Sequence, residues 1–351
     1  AAQGTAGFAE RWAMLWANVF TVSTTSLETL ALVGQFEREA IRPHVFGRFQ
    51  DLTLAAEMHP AMLSYLDQVR SVGPNSRAGQ RRTVGLNENL AREIMELHTV
   101  GSRAGYTQAD VTELARSLTG WGVVEQGPDP FIFRINRHEP GPRTVLGKVY
   151  PQPGLGQGQA IVRDLANHPA TARRMAARIA SHFVADSPPP ALVDRLESKW
   201  LETGGRLDEV AAVLIDAPES WSLQPSKMKS PYEFIISGHR ALGLPIDRPR
   251  PLLAVVLSMG QEAYKPPSPE GWPDTAADWA GPDAMVKRLD WARGMGALAE
   301  RRVPAAENPV ELARAVLGPR LNPRTEQTLA RAESRAEAIT LFLMSPEFQR
   351  R

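Results

Sequence analysis

Apolar residues recur at helical spacing through almost the whole of this chain, and that period narrows the possible folds more than any other feature. Phe8, Trp12, Leu15, Trp16 and Val19 form one face of a first helix that ends near Thr21 and presents two tryptophans to a core. The pattern returns at Leu27, Leu30 and Phe36, from Leu52 to Leu66, through Ile161, Leu165, Met175, Ile179 and Phe183, and again at Val193, Leu196 and Trp200. Proline punctuates it. Pro60, Pro169, Pro218 and Pro346 each follow an apolar run, where a residue without an N–H suits the first turn of a new helix. Their irregular spacing marks repeated capping and not a solenoid. His59 and His168, each just before such a proline, are expected to cap or pack.

Only residues 130–150 carry a strand signal. Phe131, Phe133 and Ile135 alternate, Glu139-Pro140-Gly141-Pro142 supplies a turn, and Thr144 to Tyr150 returns. The expected fold is therefore all-α with one β-hairpin around residues 130–150. It is read as a single helical domain over 1–351, with sub-regions 1–125, 126–160 (hairpin and loop), 161–245 and 246–351.

Charge and composition remove several functions. Forty basic and 39 acidic residues leave a formal net charge of +1, so no bulk field draws nucleic acid, which is not an expected partner. The lack of cysteine excludes disulfides, thiolate metal sites and cysteine nucleophiles, and leaves the compartment open. No stretch approaches the roughly 18–20 apolar residues of a transmembrane helix. The first residues lack a basic and apolar leader, and Ala1 is not an initiator methionine, as in a processed form or a fragment.

No nucleophile elbow, Walker loop or zinc motif is present. The densest polar segment is a helix expected from Asn87 to Val100, with Asn89, Glu93 and Glu96 along one face and His98 near its end. Two carboxylates on one face suit acid–base work or a divalent metal. The same residues also read as an ion-pair ladder of Glu88, Arg92 and Glu96 capped by Asn87, and His98 also reads as a core histidine. His138 and Glu139, at the expected hairpin tip, are an exposed titratable pair or a solvated turn. Arg77, Arg81 and Arg82 lie in a turn-rich loop before Asn87. With that helix start they would form an anion-binding rim, or else remain a solvated loop. Gly154 to Gly158 lacks the strand and spacing of a dinucleotide fingerprint. The eight tryptophans read as core residues and not as a sugar-stacking platform.

Several segments, taken in order, resemble the signatures of the family called "domain of unknown function 1800". They are Ile41-Arg42-Pro43-His44, His59 to Leu63, Gly73-Pro74-Asn75-Ser76, the run Leu86 to His98, Gly105-Tyr106-Thr107, Leu118-Thr119-Gly120-Trp121, Leu146-Gly147-Lys148, His168 to Thr171, Gly271-Trp272-Pro273 and Ser345 to Phe348. The resemblance runs from about Trp12 to the C-terminus. It implies an exported, periplasmic bacterial protein of unassigned activity, of a family commonly encoded beside a second exported family, "domain of unknown function 1501". Two departures are expected: the family's further N-terminal helical stretch is absent, and Val19 stands where relatives often carry histidine. Two functions follow as expectations. One is a hydrolase-like or metal-assisted enzyme in which Glu93, Glu96, His98, His138 and Glu139 share a cleft; the other is a non-catalytic binding or assembly module for an exported partner.

Overall fold

The computed structural model describes residues 4, 6–81, 85–124, 130–222, 225–246, 249–302 and 308–351. The expected all-α class holds: these residues form 18 α-helices and two sheets of two strands each. The first half comprises α1 (Gly7–Val19), α2 (Leu27–Phe36), α3 (Phe49–Met58), α4 (Pro60–Tyr65), α5 (Asn89–Glu93), α6 (Gln108–Leu118), α7 (Leu155–Ala166), α8 (Pro169–Phe183), α9 (Pro190–Thr203) and α10 (Leu207–Asp216). The second comprises α11 (Pro231–Ala241), α12 (Pro249–Ser258), α13 (Ala276–Trp279), α14 (Pro282–Arg302), α15 (Pro309–Leu317), α16 (Pro323–Ala330), α17 (Arg335–Met344) and α18 (Pro346–Gln349).

Local chemistry explains many of the boundaries. His59 and His168 do cap: each imidazole Nδ1 accepts the backbone N–H two residues on, Ala61 and Ala170, at 3.1 Å, while Pro60 and Pro169 fill the first helical position. Thr107 and Asp110 form the expected capping box of α6. Two stretches widen into π-helix, Glu37–Ile41 after α2 and Ile94–His98 after α5. The polar segment expected as one helix from Asn87 to Val100 is therefore α-helical only in its first half.

Three of the four strands lie within the expected residues 130–150, but the first lies before them, and the pairing differs from the expected single hairpin. β1 (Trp121–Val123) pairs antiparallel with β2 (Phe131–Phe133), and β3 (Arg143–Val145) with β4 (Lys148–Tyr150). The cause is Leu118-Thr119-Gly120-Trp121, which leaves α6 extended: Gly120 (φ +89°) turns the chain, and Arg134 N donates to its carbonyl at 2.7 Å. That leaves Thr144 to Tyr150 to fold back on itself at Leu146-Gly147.

Two hydrophobic cores result. The first spans Trp12 to Ala217 and encloses Trp12, Trp16, Trp121 and Trp200; the second spans Phe234 to Phe348 and is built on α14 against α17. Gly296 makes that helix contact possible, because a Cβ there would strike the Ala336 carbonyl oxygen. A buried charge network joins the cores. Lys227, 1% exposed in its side chain, places Nζ 2.7 Å from Asp186 Oδ1 and 3.3 Å from Asp274 Oδ1, while His182 Nδ1 meets Asp274 Oδ2 at 2.9 Å. Arg351 bonds Glu233 and the His182 carbonyl. Asn18 of α1 also grips the loop before α13, accepting from Trp272 N at 2.7 Å and donating to Trp272 O at 3.0 Å.

Candidate functional site

The loop carrying Arg77 and Arg81 is a fixed structure. Gly73 N donates to Arg137 O and Ala78 N to Asn136 O, both at 2.9 Å, so the loop lies along the 134–139 segment. Glu139 holds its turn, accepting from Asn75 N at 2.8 Å and Asn75 Nδ2 at 2.6 Å. Gly73 is required at this point, since a Cβ would fall 2.6 Å from Glu139 Oε2. Ser76 Oγ closes the turn on Gly73 O at 2.7 Å and accepts from Gly79 N at 3.0 Å.

This corrects the expected exposure of His138 and Glu139. They are 7% and 1% exposed, because Thr119 at the end of α6 holds both: its carbonyl accepts from His138 Nδ1 at 2.9 Å, and its hydroxyl accepts from Glu139 N at 2.8 Å. Burial keeps the His138 imidazole below its ordinary pKa, against the pull of the Thr119 carbonyl. The pair braces the arginine loop.

Between this loop and Val69–Val72 opens a cavity of about 910 Å³, lined by Arg70, Arg77, Arg81 and Arg137 with Val69, Val72, Ala78 and Asn136. Arg70 faces Asp67 at 3.5 Å across an exposed pair, and Arg137 donates to Val69 O at 3.1 Å. Among the described residues no carboxylate pairs with Arg77 or Arg81. Four arginines line one opening, and three of them, Arg77, Arg81 and Arg137, have no carboxylate partner among the described residues, which makes a site for planar anions that arginine grips with parallel N–H donors. Arg82 lies outside the described residues. Asn87 stands beside this region but spends its side chain on the backbone, accepting from Asn89 N at 2.9 Å and donating to Asp67 O at 3.3 Å.

The carboxylate and histidine candidates of the polar segment form a second cluster, completed by a residue that sequence reasoning missed. His98 is fully buried, and its Nδ1 lies 2.7 Å from Oε1 of Glu57 on α3, itself 0% exposed. The contact is close but badly angled for a hydrogen bond, and among the described residues Glu57 Oε2 and His98 Nε2 have no partner. The π-turn carries His98 inward, where its ring packs 5.2 Å from Phe20. Glu93 and Glu96 remain half-buried on the outer face. Burial raises the Glu93 carboxyl above its ordinary value; His98 pulls it down, and Glu96 and Glu57 add to the rise. Glu96 in turn adds to the burial that raises the Tyr106 hydroxyl. Arg92 pairs with Glu88 at 3.3 Å, the first rung of the expected ladder.

The structure thus sorts the candidates into two groups: Glu93, Glu96 and His98 with Glu57, and His138 and Glu139 with Arg77 and Arg81. The charges acting most strongly on Glu93 belong to the first group. Among the described residues no three histidine, aspartate or glutamate side chains come together as a metal-binding set; Glu57 and His98 supply two donors. Among the described residues no helix is long and apolar enough to cross a membrane.

Comparison with known proteins finds no match among curated proteins or solved structures. The family model described as "Protein of unknown function (DUF1800)" matches residues 1–350, and the chain belongs to that family.

Proposed function

We propose that the protein works by binding a small anionic ligand, bearing carboxylate or phosphate, in the arginine-lined cavity. The observation that carries this reading is the braced loop that sets Arg77 and Arg81, without counter-charges, opposite Arg70 and Arg137. A loop clamped before the ligand arrives loses little freedom on binding, so more of the guanidinium–anion energy appears as affinity. Calorimetric titration of phosphate and citrate tests it. Arg77→Ala with Arg81→Ala is expected to weaken binding by about tenfold or more per arginine, since a hydrogen bond to a charged group contributes roughly 1.5–3 kcal/mol. It is also expected to flatten the salt dependence and to leave the melting temperature nearly unchanged, because both side chains are exposed. Equal affinity in the double variant would remove the reading.

A second, hydrolase-like reading rests on Glu93, a half-buried carboxyl of raised pKa beside the Glu57–His98 pair. It makes a sign-definite prediction. Because the folded pKa lies above the ordinary 4.5, the protonated form favours folding; that stabilisation is present below pH 4.5 and is lost as pH rises through the folded value. Glu93→Gln, uncharged at every pH, is therefore expected to be more stable than the parent at neutral pH, with the gain vanishing below pH 4.5 in urea titrations. A carboxyl kept at a stability penalty is a mark of function.

We further propose, from the family resemblance alone, that the protein acts outside the cytoplasm beside an exported partner. Fractionation of cells expressing the full-length gene product tests the first part.

A further inference from the structure

A second cavity, of about 450 Å³, opens where the loop after α12 meets the start of α14, lined by Pro267, Trp272, Trp279, Asp278, Asp283 and Lys287 among others. Its size falls within the range of small-molecule sites.

The walls are set in advance. Asn18 grips Trp272 from both sides of its backbone, and Ser23 Oγ holds Pro266 O at 3.2 Å. Gly271 (φ +93°) admits this approach, since a Cβ there would strike Asn18 O at 2.5 Å. Trp279 is fixed by its indole N–H, which donates to Pro273 O at 3.1 Å, and the two indole rings lie 6.2 Å apart at 47°. Among the described residues the Trp272 indole N–H has no hydrogen-bond partner. The backbone of Trp272 and the indole of Trp279 are thus held in place, and the half-buried Trp272 ring still offers a donor.

The rim decides what this surface takes. Asp283 and Lys287 pair at 2.6 Å and both reach solvent, and Asp278 spends only Oδ2, on Thr275. A small anion would meet two carboxylates, and a small cation would meet the lysine. An uncharged, hydroxyl-rich ligand suits both, giving hydroxyls to the carboxylates, accepting from Lys287 and the indole, and laying its C–H face on the aromatic ring. We propose that this cavity is a binding site for a neutral saccharide, with Trp272 as its stacking residue. The sequence alone pointed the other way, because Trp272 reads like the tryptophans that do fill the cores.

The test uses cellohexaose, chitohexaose, maltohexaose and laminarihexaose as probes, read by tryptophan fluorescence and calorimetry on the whole protein. At least one is expected to bind at millimolar concentration or below. Trp272→Ala is expected to weaken that binding by about tenfold, the loss of one aromatic contact, while Trp272→Phe keeps most of it. A readout in the unaltered protein guards against misfolding of the variant. Bound saccharide is expected to protect Trp272 from N-bromosuccinimide, while Trp221, 67% exposed, oxidises as before. Three results would overturn the proposal: no binding of any hexasaccharide, binding unchanged in folded Trp272→Ala, or unprotected Trp272 at saturating saccharide.

Discussion

His98→Ala is expected to destabilise the protein by about 3–5 kcal/mol, because it strands the Glu57 carboxyl in a fully buried position. The pair has little support of its own: one close contact at a poor angle, and two polar atoms without partners among the described residues. The effect of removing both polar side chains should therefore have the opposite sign. Glu57→Met with His98→Leu is expected to be neutral or stabilising by about 1–4 kcal/mol, since apolar groups of similar volume remove the desolvation penalty. Urea denaturation of both singles and the double closes the cycle. A double variant as unstable as the singles would mean that the pair's hydrogen bonding is better than its geometry indicates. A stable double variant that loses function would mark the pair as retained for activity.

Lys227→Ala is expected to have a comparable effect by another route. Its Nζ lies between Asp186 and Asp274, the residues that tie the first core to the second. Removing it leaves two carboxylates facing each other, one of them bonded to His182. We expect a loss of about 3–5 kcal/mol and, in calorimetry, a single melting transition that splits in two as each core unfolds on its own. One unsplit transition would show that the cores are coupled by apolar contact and not by charge.

How far the sequence discloses this depends on the range of the interaction. Capping is local, so His59-Pro60, His168-Pro169 and Thr107 with Asp110 act as they read. Apolar period is nearly local, and it places Trp12, Trp16 and Trp200 in the core. It misleads at α2, where Leu27 and Leu30 are 82% and 60% exposed although Phe36 is buried. Strand pairing is not local: Phe131 to Phe133 would alternate identically beside either neighbour, and the bend at Gly120 decides.

The site shows the same gradient. The arginines of the 77–81 loop are visible in the chain, but the brace that aims them joins Asn75 to Glu139, 64 residues apart. Glu57 has no signal at all. It sits in α3 as an acid two residues before a capping histidine, and only the π-turn at Ile94–His98, which rotates His98 inward, gives it a partner. A widened turn of this kind is frequent at functional sites, yet nothing in Ile94 to His98 announces it.

The grip of Asn18 on Trp272 spans 254 residues, and that separation has a meaning in time. At the pace of bacterial or eukaryotic synthesis, roughly 5–20 residues per second, α1 leaves the ribosome about 13–50 seconds before its partner loop exists. Through that interval the polar face of Asn18 is satisfied by water while Trp12 and Trp16 wait for α8 and α9. The first core must therefore be self-sufficient early, and the tryptophan loop docks on it only later, with α13 to α18 still to follow. A refolding phase that is sensitive to Asn18→Ala and follows formation of the first core would be the trace of that order.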